Sequence, residues 1–339
     1  MLIAGPNLTL DRTGSIAELR PGDVLRFERV VVTPGGKGLN VARTARALGA
    51  RALLVGFVPG ETGRVGAAMI EREGVALRGV PCGGELRSTA IVIEEGGRTT
   101  VLNEPGPRID RADWEALEAA ITRSLPEKGS DPSRVATTLK GSDPFRGGHG
   151  VLVCSGSVPP GSPDDAYARL AALAAAAGVP CVVDAAGVTL ARALVARPAV
   201  VCPNLAEAEA VLGDGAGSQP VLTAADARPR ALAAAAELIA RGARGALVTA
   251  DAAGAALATA KGPAHWLPAP RIAEVRNPVG AGDVLASALA AALERGEPLL
   301  ESARRGVAAA AASVESATAG EFEPARAAEL LPAVVAERA

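Results

Sequence analysis

The sequence predicts an α/β protein with a mostly parallel central sheet between helical layers, and three observations predict it. Short apolar runs rich in β-branched residues alternate with Ala-rich segments of helical period, and such alternation closes into a parallel sheet covered on both faces. Two regions break the pattern with period-two alternation of their own, which calls for a small second sheet beside the main one. At 339 residues the chain is long enough to bury the core that this architecture needs.

In chain order, residues 8–33 ("LTLDRTGSIAELRPGDVLRFERVVVT") form the first period-two region and read as an antiparallel hairpin. "LNVARTARALG" then shows helical spacing, and residues 52–58 ("ALLVGFV") read as a buried strand. Residues 87–103 ("RSTAIVIEEGGRTTVLN") place two strands around a Gly-Gly turn, a second antiparallel hairpin that with the first would make a lid. Residues 124–149 are dominated by Gly, Ser, Asp and Pro, and "GSDPSR" returns within them as "GSDPFR"; this predicts a solvated loop with a local duplication. Strands follow at 150–156, 180–187, 199–204 and 245–251, separated by the helical stretches "PDDAYARLAALAAAAG", "LAEAEAVLG" and "ALAAAAELIARGARG". Ligands of such sheets sit beyond the carboxyl ends of the strands.

Composition narrows the function. Lys+Arg 35 against Asp+Glu 37 leaves a net charge of -2, with no basic block suited to nucleic acid or an anionic membrane, so the expected partner is a small molecule. Cys82, Cys154, Cys181 and Cys202 lack C-x-x-C spacing and predict reduced core thiols in a cytoplasmic protein. The N-terminus carries no basic region followed by an apolar one, and no apolar run reaches the roughly 18 to 20 residues of a membrane span; a soluble, unprocessed chain is expected. His149 and His265 have no carboxylate or cysteine partner close by, and no G-x-S-x-G elbow is present, which argues against a histidine-based metal site or triad.

The chemistry is concentrated in two glycine-rich stretches. In "NPVGAGD" (277–283), Gly280, Ala281 and Gly282 precede Asp283 at the start of an apolar helical run. A helix N-terminus presents unpaired N–H groups and about half a positive charge, and small residues let an anion approach them. An aspartate at that junction can take a proton from an attacking hydroxyl, although a plain capping aspartate has the same local appearance. In "TPGGKGLNVARTARALG" (33–49), Gly35, Gly36 and Gly38 allow close approach of the backbone to a ligand, Lys37 adds charge, and Asn40 opens a helix with an amide able to bind hydroxyls. Neither G-x-x-x-x-G-K-[ST] nor G-x-G-x-x-G occurs, which disfavours a P-loop enzyme and a dinucleotide dehydrogenase.

The ordered set "GPNLTLDRT", "GGKGLNVAR", "NEPGP", "SGSVPPG", "PNLAE" and "NPVGAGD" resembles the PfkB, or ribokinase-like, carbohydrate kinases, and within them the phosphosugar branch that contains 1-phosphofructokinase and tagatose-6-phosphate kinase. The resemblance covers nearly the whole chain. It implies a single three-layer α/β/α domain over residues 1–335 with a small antiparallel β-sheet lid, a homodimer formed through that lid, and ATP and Mg2+ as cofactors. The activity implied is phosphorylation of a sugar phosphate, fructose 1-phosphate before tagatose 6-phosphate or fructose 6-phosphate. A kinase of an unphosphorylated sugar or nucleoside, and a catalytically weakened sugar-phosphate binding protein, are the alternatives.

By the same resemblance, Asp283 is the general base in an anion hole made with Gly280, Ala281 and Gly282. Asp11, Gly35, Gly36 and Asn40 would hold the sugar, with Lys37, Arg87 and Ser155 on the phosphate it already carries. Asn204, Thr249 and Gly254 would serve the nucleotide, and Glu207 the metal; Asn204 and Glu207 are also spaced as a helix capping box. Departures are visible too. Asp251 stands where the family usually has Gly, and an acid beside a polyphosphate is repulsive unless it turns away or meets a metal. Asp184 lies in "DAAG" in place of the usual "DTSG", and the helix after Asp283 ("VLASALAAAL") contains no glycine.

Overall fold

The structure is a computed structural model and describes residues 1–126, 150–213 and 224–339. Most of the expected 124–149 loop, His149 included, lies outside the described residues. The strands are β1 (Leu2–Ala4), β2 (Thr9–Ile16), β3 (Val30–Gly35), β4 (Leu53–Pro59), β5 (Ala76–Cys82), β6 (Ser88–Glu94), β7 (Thr99–Asn103), β8 (Leu152–Ser155), β9 (Cys181–Asp184), β10 (Val200–Val201), β11 (Gly245–Thr249), β12 (Gly254–Thr259), β13 (His265–Pro268) and β14 (Glu337–Arg338).

Ten of these form the main sheet, in the order β14-β13-β12-β11-β10-β9-β8-β1-β4-β5. From β5 across to β11 the neighbours are parallel, and β12 to β14 continue antiparallel along one edge. The inner parallel strands are apolar over most of their length because both faces are covered, and the pleat sends alternate residues to opposite layers. Leu2, Leu53, Val55 and Phe57 join Trp114, Tyr167 and Leu170 on one side. Ile3 and Leu54 join Leu39, Val41, Val284, Leu289 and Val307 on the other. The second layer is built by the helices Lys37–Ala47, Ala281–Glu294 and Leu299–Ser313. Beyond Asp283 the helix Ala281–Glu294 has no glycine, and the close approach is supplied from across the contact: a Cβ on Gly306 would stand 3.0 Å from the Leu285 carbonyl oxygen. Ser287 Oγ donates to the Val41 carbonyl at 2.8 Å and ties the helix to its other neighbour.

The small sheet has the order β3-β2-β6-β7. Both expected hairpins are present, β2 with β3 and β6 with β7. They are joined through a parallel β2–β6 pairing, so the lid is a mixed sheet and the purely antiparallel expectation is corrected. The register sorts its faces, because directly paired residues share a side. Thr33, Asp11, Thr89 and Asn103 make one polar row; Val32, Arg12, Ala90 and Leu102 make a row on the opposite face.

Cys154, Cys181 and Cys202 are buried and Cys82 half-buried, and none is in a disulfide. The Cys154 and Cys181 sulfurs lie 3.8 Å apart in the core. Among the described residues no helix is long and apolar enough to cross a membrane. His265 lies within β13.

Candidate active site

The carboxyl ends of the parallel strands deliver most of the expected side chains to one edge. Ser155 ends β8, Asp184 ends β9, Asn204 and Glu207 begin the helix Leu205–Leu212 just after β10, and Thr249 ends β11. From the other layer, the helices Lys37–Ala47 and Ala281–Glu294 bring Lys37, Asn40 and Asp283 to the same edge.

Asp283 lies in the first turn of its helix and is 3 % exposed. Gly280 is the N-cap, at φ 84, a conformation open to glycine at no steric cost. No side chain caps this end, and a Cβ at Gly282 would meet open space. The arrangement leaves a positively polarised helix start with room beside it for an anion. Asn40 Nδ2 donates to Asp283 Oδ2 at 2.8 Å. Burial pushes the Asp283 carboxyl up to about 7, and the charge of Asp184 adds to this; Lys37 and the Asn40 amide oppose it. A carboxyl poised near neutrality suits proton abstraction at physiological pH.

Asn40 was expected to open its helix. The helix instead starts at Lys37 with Gly36 as N-cap at φ 109, which places Asn40 on the first turn, facing across to Asp283. Lys37 is also placed differently from expectation. Its ammonium lies 3.6 Å from Asp184 and 3.9 Å from Glu207, on the side of the carboxylates rather than with Arg87. The Asp184 carboxylate, ahead of Asp283 and Glu207, holds Lys37 well above its usual range despite partial burial.

Ser155 is at a strand's carboxyl end as expected, but it is 1 % exposed and its hydroxyl donates to Asp184 Oδ2 at 3.2 Å. It anchors an acid; the contact with a substrate phosphate expected of it is not what its geometry offers. Asp184 itself, 3 % exposed, is the site residue that the sequence reading passed over as a departure from "DTSG". Its position at the carboxyl end of "CVVD" was the signal that could have found it.

The acceptor side is built from the lid. Asp11 lies in the polar row of β2, half-buried; burial raises its carboxyl, while Thr89, Arg87 and Arg43 act against the shift. A side chain at Gly35 would run into the Asp11 carboxylate, so glycine is required there for the acid to sit over the site. Arg87 is half-buried and donates to main-chain oxygens: Nε to Asn7 and Leu8, both at 3.3 Å, Nη2 to Asn7 at 3.1 Å, and Nη1 to Glu104 at 3.2 Å. Burial lowers its pKa, with Asp11 and Glu104 opposing. Its guanidinium is therefore fixed in place beside Asp11 by the backbone.

On the opposite side, Asn204 and Glu207 form a full capping box. The Asn204 side chain accepts from the Glu207 amide at 2.7 Å and Glu207 Oε2 accepts from the Asn204 amide at 3.0 Å. The cap leaves Glu207 Oε1 facing Lys37. Asn204 also pairs with Thr249 through an isolated parallel bridge, which brings the end of β11 beside it. The turn that follows contains Asp251 at φ 48 and Gly254 at φ 133. A Cβ on Gly254 would run into the Leu267 carbonyl oxygen. The left-handed backbone at 251 supplies a reason for glycine at such a position; Asp tolerates it better than most residues do.

A divalent cation of the Mg2+ type takes one or two carboxylates and completes its shell with phosphate oxygens and water. Glu207 Oε1 and Asp184 Oδ1 both lie within 4 Å of the Lys37 ammonium, at 3.9 and 3.6 Å. They already share one positive charge, so the donor set fits that demand. Among the described residues no group of three or more His, Cys, Asp or Glu could hold a metal.

The profile of the pfkB family carbohydrate kinases matches residues 8–131 and 149–326. The chain is 30% identical over 335 residues to a 1-phosphofructokinase from Xanthomonas campestris pv. campestris, covering 97% of this chain and 95% of that protein. Its fold is similar to phosphofructokinase-2 from Escherichia coli in complex with potassium, at TM-score 0.81 and 25% identity over 98% of each chain. It is also similar in fold to a possible 1-phosphofructokinase from Thermotoga maritima, at TM-score 0.76 and 23% identity, covering 100% of this chain and 99% of that one.

Proposed function

The chain belongs to the pfkB family of carbohydrate kinases, phosphotransferases with an alcohol group as acceptor, and we propose that it transfers the γ-phosphoryl group of ATP to fructose 1-phosphate, giving fructose 1,6-bisphosphate. The observation that carries this reading is Asp283: a buried carboxyl near neutrality, at an uncapped helix start, held by Asn40 between the lid and the strand ends. The 1-phosphofructokinase relative supports the choice of acceptor.

Asp283 accepts the proton of the attacking hydroxyl. The amides around Gly280, Ala281 and Gly282 stabilise charge on the transferring group, and because they are fixed before substrate arrives they need no reorganisation. Asp11, with Gly35, Gly36 and Asn40, orients the sugar hydroxyls, and Arg87 meets the phosphate already on the sugar through a charge-assisted contact. Lys37, held by Asp184 and Glu207, supplies positive charge on the nucleotide side. Thr249 and Gly254 line the nucleotide phosphates. Glu207 would hold Mg2+ together with the nucleotide, and the cation would supply positive charge to the phosphates there.

We place a homodimer interface on the lid. Leu102 is 61 % exposed and Val32 37 %, in one cross-strand row on the face away from Asp11. Val31, Ile93 and Val101 are exposed on the Asp11 face as well, so the lid offers apolar surface to a second copy of the same sheet, with Leu102 its most exposed member.

The test is ADP release from Mg·ATP with fructose 1-phosphate, fructose 6-phosphate, tagatose 6-phosphate, fructose and ribose. The expected result is the highest kcat/KM on fructose 1-phosphate. Turnover confined to fructose or ribose would overturn the phosphosugar assignment. Ligand-dependent stabilisation with no turnover on any of the five would favour a binding protein.

A further inference from the structure

The helix Lys37–Ala47 carries a polar chain that leads away from the base toward the protein surface. Asn40 gives Nδ2 to Asp283 at 2.8 Å, and its Oδ1 accepts from Arg43 Nη1 at 3.1 Å. Arg43 in turn presents Nε and Nη2 to the two oxygens of Glu73, both at 2.8 Å, and Nη2 also donates to the Pro34 carbonyl at 2.9 Å, inside the glycine loop. The Arg43 side chain is only 14 % exposed. A planar guanidinium held in a two-point fork by a carboxylate has little freedom left, so its remaining donors point in set directions.

The consequence falls on Asn40. A primary amide has two nearly isosteric ends, and rotation exchanges its oxygen for its nitrogen. Reversed, Asn40 would turn its oxygen toward the Asp283 carboxylate and its NH2 toward a guanidinium that has only donors to offer. Sideways movement is blocked as well: a Cβ on Gly320 would come within 2.9 Å of Asn40 Cβ, so that glycine's backbone packs directly against the amide. We propose that Arg43, locked by Glu73, is a positioning residue for phosphoryl transfer, holding the Asn40 amide in the one orientation in which it donates to the base.

This rests on the reading of Asp283 as the base. The other groups that bear on Asp283 are Asp184 at the end of β9, Glu207 on the helix Leu205–Leu212, and Lys37 on the same helix as Asn40. The two acids favour its protonated form and Lys37 the ionised one, so the orientation of Asn40 adds to Lys37. Arg43 acts on Asp283 through the amide, and its loss would be felt as a weaker base.

The experiment is kcat/KM against pH for the full-length wild type, Arg43→Met, Arg43→Lys, Asn40→Ala and the Asn40→Ala/Arg43→Met double variant, with melting temperatures of each. Losing a hydrogen bond to a charged group should move the acid limb of Arg43→Met up by about one pH unit and lower kcat/KM about fivefold at pH 7. KM for Mg·ATP should stay unchanged. Arg43→Lys should lie between, since one ammonium cannot bond Glu73 and Asn40 as the fork does. Asn40→Ala should move the limb similarly, and adding Arg43→Met should move it no further, the non-additivity expected of residues in one chain. A lower melting temperature with an unmoved limb, or additive shifts in the double variant, would overturn the proposal. If Arg43→Met does not fold, Glu73→Gln, which keeps part of the fork, must move the limb in the same direction by less, and no movement overturns it equally. Asp283→Asn separates the two levels: wild-type kcat in that variant removes the base itself, whereas a silent Asp283→Asn with an unmoved limb in the Arg43 variants removes only the relay.

Discussion

Replacing Asp283 by asparagine should silence turnover and at the same time stabilise the protein, and the two effects should share one pH dependence. The carboxyl is raised from its ordinary 3.8 to about 7, first by burial and then by Asp184. The folded protein therefore binds this proton more tightly than the unfolded chain does. Stability contributed by the protonated form is full below about pH 4 and is lost as pH rises through about 7. At about 1.4 kcal/mol per pKa step, the difference between 3.8 and about 7 amounts to on the order of 4 kcal/mol. Because Asp283 is 3 % exposed, solvent screening removes little of it.

Catalysis runs the other way. Only the ionised form accepts a proton, so kcat/KM should fall about tenfold for each pH unit below the transition and level off above it. Asp283→Asn removes the titration without changing the shape of the side chain. Its kcat should drop by roughly 10² to 10⁴, and its unfolding free energy should exceed that of the wild type by a few kcal/mol at pH 8 but differ little at pH 4. The assay is a pair of measurements on both proteins from pH 4 to 9: initial rates, and urea unfolding with linear extrapolation. Subtracting one unfolding profile from the other cancels the titration of groups remote from Asp283 and leaves that of Asp283 with its partners Asp184, Lys37 and Glu207. A difference that does not change with pH, or a wild-type kcat/KM that is flat between pH 6 and 8, would refute the reasoning.

Three further outcomes follow from the same geometry. Arg87→Ala should raise KM for the sugar phosphate about 10- to 100-fold by removing a charge-assisted contact, and should also lower the melting temperature because the guanidinium holds the carbonyls of Asn7, Leu8 and Glu104; an unchanged KM would move the phosphate site elsewhere. Asp251→Gly relieves a left-handed backbone at φ 48 and removes an anion from the nucleotide loop, so KM for Mg·ATP should fall several-fold with KM for the sugar phosphate unchanged; no change in KM for ATP would mean that the carboxylate already faces away from the polyphosphate. Leu102→Glu puts a charge on the exposed row of the lid and should convert dimer to monomer in sedimentation velocity; a dimer of unaltered stability would place the interface on another face.

The layers of the fold were legible because they are written in local patterns. Apolar runs gave five of the parallel strands, missing β1 and β5, and period-two stretches gave both hairpins of the lid. β1 escaped notice since three residues, Leu2–Ala4, show no period, although the strand lies inside the sheet between β4 and β8. The parallel β2–β6 pairing was equally hidden, because pairing between hairpins distant in sequence leaves no mark in either one. At the site, residues inside glycine-rich motifs could be found one by one. The partnerships among them could not. Asn204 and Glu207 were visible as a cap, but Lys37 was assigned to the acceptor phosphate until its ammonium was found between Asp184 and Glu207.

That relocation changes the electrostatic argument. Asp184, Glu207 and Asp283 share a single ammonium, so with all of them ionised the cluster carries excess negative charge before any nucleotide arrives. A polyphosphate alone would be repelled from it, whereas a nucleotide carrying a divalent cation supplies the missing positive charge and meets the positively polarised start of the helix Ala281–Glu294. Burial first, and then the charge of Asp184 and Glu207, keeps Asp283 protonated to higher pH than an isolated aspartate. A cation that neutralises Glu207 removes part of that repulsion, which favours ionisation of the base when the phosphoryl donor is in place. On the proposed reading, the sharing of Lys37 by Asp184 and Glu207 would link binding of the nucleotide to readiness of the base.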